Sequence, residues 1–230
     1  MAKFCIDAGH NFSGVDTGAS GTRFKEQELT FNIADRLRAI LEENGHQVVM
    51  TRDSLTSNVR ATTVNESLRE RARISNAFNA DYFISIHLNA GGGVGTETYV
   101  IARGGEAEDI AVKVQSAFKA LGRVDRGVKV GNLAVLRLTN APAILVEAGF
   151  IDNAQEENWI IQNIDAIARA IASAYGVNAQ KDYMSASEAI GYLNSVGIIS
   201  EPDKWYQGTW NDDDFKWLIR KTAQYIKDNL

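Results

Sequence analysis

The chain has 230 residues, of which 45% are hydrophobic and 23% charged, with 19 glycines and only 2 prolines. That composition excludes a disordered, collagen-like or low-complexity protein, and the length suits one domain or one domain plus a small module. The net charge of −5 argues against a polyanion binder that works by counterion release, so no nucleic-acid partner is expected.

The first apolar run, Phe4-Cys5-Ile6, is too short for a signal peptide and reads as a strand. Glu28 to Glu43 carries Leu29, Phe31, Ile33, Ala34, Leu37, Ile40 and Leu41 at helical spacing, and Gly45 stops it. Gln47–Thr51 is the next strand, and Asn65 to Phe78 a helix rich in Arg and Glu. Tyr82–His87 and Thr98–Ala102 read as strands, Ala107 to Leu121 as a helix, Asn132–Leu138 and Ala143–Val146 as strands, and Gln155 to Tyr175 as one long helix. Mostly apolar strands alternating with helices point to an α/β domain with a mostly parallel sheet, helices on its faces and ligands at the carboxyl ends of its strands.

The texture changes after residue 176. We expect a domain over 1–176, a linker over 177–182 and a small all-helical module over 183–230. Ser185 to Leu193 has an N-cap and the capping-box residue Glu188; Gly197 to Pro202 is a turn; Asn211 to Asp228 reads as a second helix. Trp205, Trp210 and Trp217 could stack on sugars, but so small a unit needs its aromatics for a core, and the core reading is favoured. No stretch approaches the roughly 18 to 20 apolar residues that span a bilayer. The expectation is synthesis in the cytoplasm without a signal peptide and without stable membrane association.

Cys5 is the one cysteine, so a metal would have to be held by histidines and carboxylates. His10 and His87 each follow a strand and would emerge at the same sheet edge; His46 precedes its strand and belongs at the opposite one. Alone, a strand-end histidine is more often structural. Two at one edge with Glu26 at the start of the first long helix form a common catalytic zinc set, open at its fourth position. Glu28 is a rival ligand on spacing alone. Glu147 ends an apolar strand at the same edge and is the candidate to carry protons; a capping or salt-bridged glutamate is an equal reading.

Several longer motifs bear on these residues. Asp7-Ala8-Gly9-His10, Asp16-Thr17-Gly18-Ala19-Ser20-Gly21 and Phe24-Lys25-Glu26 are followed by Thr51-Arg52-Asp53 and Leu68-Arg69-Glu70-Arg71-Ala72-Arg73-Ile74-Ser75-Asn76. Ala80–Ala90, Arg126-Gly127-Val128-Lys129 and Val146–Asn153 complete the series. In this order the chain resembles the zinc-dependent N-acetylmuramoyl-L-alanine amidases of the type-3 family, which are peptidoglycan hydrolases. The resemblance implies a six-stranded α/β fold, Zn2+ held by His10, Glu26 and His87, and Glu147 as the catalytic glutamate. It favours Glu26 over Glu28. It also implies peptidoglycan as partner and cleavage of the amide between the lactyl group of N-acetylmuramic acid and L-alanine. Ala8, Asn11 and Phe12 depart from the proline and glycines usual there, which bears on the loop over the metal and not on the ligands.

The lack of a signal peptide makes the chain similar to a phage endolysin, which reaches the wall after release. A mother-cell lytic amidase of sporulation is the close alternative. A zinc carboxypeptidase-like enzyme would place its first His and Glu in one short motif, and a wall-binding protein on a dead scaffold would lack a ligand or the glutamate. Gly91-Gly92-Gly93-Val94-Gly95 lacks the Lys-Ser/Thr of a phosphate loop and reads as a flexible loop. Arg69, Arg71 and Arg73 read as a solvated or salt-bridged helix face and Cys5 as a core residue; Asn89 could orient substrate or a group behind the ligands, but a turn former is the favoured reading. The oligomeric state is not readable.

Overall fold

The computed structural model of the chain describes residues 1–177, 193–200 and 222. The chain divides into two compact units, Met1–Ala179 and Gln180–Leu230. The first unit contains twelve elements in chain order: β1 (Lys3–Ala8), α1 (Glu26–Glu43), β2 (Gln47–Met50), α2 (Val64–Phe78), β3 (Tyr82–Asn89), β4 (Thr96–Val100), α3 (Glu106–Ala120), β5 (Asp125–Val130), α4 (Ala134–Leu138), β6 (Ala143–Phe150), α5 (Ala154–Gln162) and α6 (Ile164–Ser173). Six strands form one sheet in the order β2-β1-β3-β6-β4-β5. All neighbours are parallel except β4 and β6.

Strand alternation divides the core in two. Phe4, Ile6 and Ala8 of β1, Ile84 and Ile86 of β3 and Val146 of β6 face α1, α3 and α6, in a cluster that includes Leu37, Val114 and Ile171. The odd-numbered Cys5, Phe83 and Leu145 face the other way, against Val135 and Leu136 of α4 and Leu68 and Ile74 of α2. Each large side chain buried this way contributes about 1.5–3 kcal/mol. Toward the carboxyl end of β1, β3 and β6 this second face turns polar through Asp7, Ser85, His87 and Glu147.

Two expectations fail here. Residues 132–138 are not a strand: Ala134–Leu138 is the short helix α4, whose Val135 and Leu136 are buried on the sheet. The strand is β5, the sequence Asp-Arg-Gly-Val-Lys-Val, which pairs only with β4. An edge strand needs no continuous apolar run. The long helix over 155–175 is instead α5 and α6, broken at Asn163, which has φ −123° and ψ 21° and whose side-chain amide donates to the Trp159 carbonyl. The helix expected from Glu28 begins at Glu26, where the Lys25 N–H donates to the Glu28 carboxylate three residues on. His46 does lie at the opposite edge, with its ring edge-on to Phe4. Among the described residues no helix is long and apolar enough to cross a membrane.

For Arg71 the salt-bridged reading holds, in the interior and not on a solvated face. It is no solvated cation: it is 1% exposed and pairs with Asp7, itself 0% exposed, at 2.7 Å. Arg71 also donates to the Ala8 carbonyl and to Asn11 Oδ1, while Thr51 and Ser85 hydroxyls donate to Asp7. A buried ion pair is tolerable only when so fully hydrogen-bonded. Arg69 and Arg73 are the exposed members, and Arg73 pairs with Glu70 three residues back. Arg71→Met should therefore lower unfolding free energy by about 3–5 kcal/mol in a urea titration, because it leaves Asp7 buried and charged. Arg73→Met should barely move the midpoint. Equal effects would contradict this assignment.

Candidate metal centre

The chain leaves β1 through Gly9 and places His10 in the left-handed region, at φ 64°. A side chain at Gly9 would press a Cβ within 2.6 Å of the His87 ring, and one at Gly18 within 2.8 Å of both Glu26 and His10. Glycine at these two points lets the backbone close around the three donors. His10 comes from the end of β1, His87 from β3 and Glu26 from the first turn of α1.

His10 Nε2 and His87 Nδ1 both stand 3.2 Å from the same Glu26 oxygen, Oε1. The two rings meet edge to face with centroids 4.7 Å apart. Glu26 is held in place by two backbone amides: Leu88 N–H donates to Oε1 at 3.0 Å and Ala19 N–H to Oε2 at 2.9 Å. His10 Nδ1 lies 3.2 Å from Asp16 Oδ1. Asp16 in turn accepts from the Ser67 hydroxyl and lies 3.3 Å from Arg71. A carboxylate on one imidazole nitrogen fixes the tautomer and leaves the other nitrogen as the donor.

The electrostatics ask for a cation. Burial disfavours a charged His10, but hydrogen bonds to Asp16 and Glu26 outweigh it and raise its pKa to about 9. Burial works against the Glu26 carboxylate as well, yet His10 and His87 hold it well below the usual carboxylate range. One donor atom from each of His10, Glu26 and His87 lies within 4.8 Å of the other two. Two imidazole nitrogens and one carboxylate oxygen are the donors of catalytic zinc sites with an open position, so the residues fit the metal.

Glu147 stands beside this group. It is in register with His87 across β3 and β6, and with Glu97 across β4 and β6. Its Oε2 is buried and has no hydrogen-bond partner among the described residues. Burial foremost raises its pKa to about 7, assisted by the charges of Glu26 and Glu97 and opposed by His87 and His10. Sequence reasoning missed Glu97. It is 3% exposed and accepts from Asn89, Tyr99, Arg126 and Lys129. Burial opposes that charge, but these donors bring its pKa down to about 2.

Other candidates resolve plainly. Glu28 turns back to the Lys25 amide and is not among the donors. Gly91 and Gly92 donate backbone hydrogen bonds to Asp152, so their loop is tied to the segment after β6. Cys5 is buried, which pushes its thiol pKa up and leaves it a core residue. Asn89 is no simple turn residue, since it holds Glu97. Asn11 does shape the loop after His10: its side chain bonds the Val15 carbonyl and the Val59 amide as well as Arg71. The helices expected over 185–193 and 211–228, and all three tail tryptophans, lie outside the described residues, apart from Leu193 and an isolated helical residue at 222. The turn at Gly197 is present, with φ 72° and its N–H donating to the Asn194 carbonyl.

Residues 4–177 match the family of N-acetylmuramoyl-L-alanine amidases. The chain belongs to that family. It is 40% identical over 177 residues to the N-acetylmuramoyl-L-alanine amidase CwlM of Bacillus licheniformis, covering 75% of this chain and 67% of that one. It is 37% identical over 177 residues to the sporulation-specific N-acetylmuramoyl-L-alanine amidase of Bacillus subtilis, covering 75% of this chain and 66% of the relative. The endolysin of Bacillus phage SPP1 is 37% identical over 160 residues, covering 66% of this chain and 55% of the phage protein. The chain thus spans about half to two thirds of the length of these relatives. A solved N-acetylmuramoyl-L-alanine amidase from Clostridium difficile 630 superposes with a TM-score of 0.68 at 31% identity, over 79% of this chain and 98% of that one.

Within this amidase fold the Glu147 environment has a measurable consequence. A carboxyl whose folded pKa is raised costs stability once pH exceeds its unfolded value near 4.5, and the cost is complete above about 7. In the metal-free chain, Glu147→Gln should therefore gain stability relative to wild type as pH rises from about 4.5 to 7, reaching roughly 2–3 kcal/mol. A stability difference independent of pH would show that Glu147 is not desolvated.

Proposed function

We propose that this chain hydrolyses peptidoglycan at the amide between the lactyl group of N-acetylmuramic acid and L-alanine, using zinc held by His10, Glu26 and His87. The observation that carries the reading is the desolvated Glu147 carboxyl beside those three donors, whose buried Oε2 has no hydrogen-bond partner among the described residues. Zinc in such a site supplies Lewis acidity, polarising a carbonyl and bringing the pKa of water down to about 7. Asp16 keeps the His10 proton on Nδ1 and so keeps Nε2 directed inward. The Ala19 and Leu88 amides hold Glu26 in one orientation.

Glu147 moves the proton. With a pKa of about 7 it can both accept and give one at neutral pH. Its carboxylate takes the proton of the attacking water, and the resulting acid returns it to the departing nitrogen of L-alanine.

Residues 1–176 are proposed as the catalytic domain, 177–182 as a linker and 183–230 as a small helical module for which wall binding, docking on the catalytic domain and self-association are the candidate roles. The biological setting we propose is host lysis by a phage endolysin acting on the wall after release, which the relative in phage SPP1 supports. A sporulation amidase is the second reading, supported by the relative in Bacillus subtilis. A neighbouring gene for a small pore-forming membrane protein favours the first; transcription confined to sporulation favours the second.

Digestion of purified peptidoglycan, read by mass spectrometry, tests the activity. Zinc-loaded wild type should release L-alanine amino termini with no new reducing sugar, and Glu147→Gln at equal zinc loading should lose at least about 100-fold of that rate. New reducing ends, or an undiminished variant, would refute the assignment.

A further inference from the structure

The Glu97 cluster has one positive charge more than its structure needs. Glu97 Oε1 already accepts from the Asn89 amide and the Tyr99 hydroxyl, both at 2.9 Å. Its Oε2 faces two cations, Arg126 Nε at 2.6 Å and Lys129 Nζ at 2.5 Å. One cation neutralises a buried carboxylate; two leave a net +1. The Glu97 side chain is 3% exposed, whereas those of Arg126 and Lys129 are 36% and 37% exposed. The surplus charge therefore sits on the solvent side, with the carboxylate beneath it as an anchor.

The anchor also fixes direction. The Arg126 guanidinium lies 4.9 Å from the Phe150 ring centroid and the Lys129 ammonium 5.9 Å from that of Tyr99. Arg126 is engaged through Nε, so its two terminal nitrogens make no hydrogen bond among the described residues. A guanidinium fork and an ammonium side by side suit a carboxylate.

The sheet sets the distance. Glu97 is in register with Glu147, and Glu147 with His87. Strands are spaced about 4.8 Å apart, so the Glu97 backbone lies about 10 Å from that of His87. Extended peptide advances about 3.3–3.6 Å per residue, so the cations reach one or two residues past an amide held between His87 and Glu147.

We infer that Arg126 and Lys129, anchored by Glu97, form a subsite for a free carboxylate on the stem-peptide residue that follows L-alanine. This rests on the amidase reading above and adds to it a specificity: acidic stem peptides are preferred over amidated ones. Glu97 is a positioning residue, since it acts through the two cations.

The test uses the zinc-loaded full chain and two muramoyl dipeptides, whose second residue, a D-glutamate, carries either a free α-carboxylate or a carboxamide. Wild type should cleave the acid with a kcat/KM about tenfold higher, the difference residing in KM. Lys129→Met should erase the preference by raising KM for the acid, and Lys129→Arg should restore it. Lys113→Met, on the exposed face of α3, should leave the preference intact. Cleavage of both substrates without discrimination by wild type, or an equal loss on both in Lys129→Met, overturns the subsite and leaves the amidase reading standing. Failure to release L-alanine amino termini from either substrate overturns both.

Discussion

One carboxylate oxygen, Glu26 Oε1, is shared by two imidazole nitrogens at 3.2 Å each. Three electron-rich atoms at that spacing repel unless a positive charge lies among them. Much of the structure around them serves to hold this arrangement. Glu26 begins α1, and the turn before it is tied to α5 by Glu157, whose carboxylate accepts from the amides of Thr22, Arg23 and Phe24. Glu157 is fully buried. The position of Glu26, one of the three candidate ligands, thus depends on a carboxylate 131 residues further along the chain.

His10 is held from the opposite side. It and Asp16 both occupy the left-handed region, at φ 64° and 63°. That conformation costs a non-glycine residue about 1 kcal/mol or more and persists only where surroundings enforce it. Here the enforcing contacts are the His10–Asp16 bond and the Arg71 guanidinium, which spans Asp7, Asn11 and Asp16. The buried ion pair of the fold and the orientation of His10 are therefore parts of one network. Glu147 stands outside this network: its buried Oε2 has no hydrogen-bond partner among the described residues. An unpaired carboxylate beside a fully paired one gives the two groups different work, since Glu26 stays ionised while Glu147 can exchange a proton near neutral pH.

The site was legible where chemistry coincided with strand ends. His10 and His87 follow parallel strands, and Glu26 opens a strongly periodic helix, so their shared edge could be read from spacing. Glu97 could not, because β4 runs antiparallel to β6 and brings its first residues, not its last, to that edge. Its signal was a carboxylate in alternation with Tyr99 on an otherwise uncharged strand. Arg71 was hidden among charged neighbours in α2. Ser67 and Ser75 four residues to either side, both buried, mark the side of the helix that has room for a buried guanidinium. The edge strand β5 lacked an apolar run because β4 is its one neighbour among the described residues, and α4 resembled a strand because five residues show too little of a helical period.

The account stands on Glu26, rather than its near neighbour Glu28, completing a metal site with His10 and His87. Equilibrium dialysis against buffered zinc, with metal counted per chain, tests this most directly. Wild type and Glu28→Gln should each retain one zinc ion, and Glu26→Gln at the same free zinc should retain almost none. Zinc retained equally by Glu26→Gln, or lost from Glu28→Gln, would contradict it.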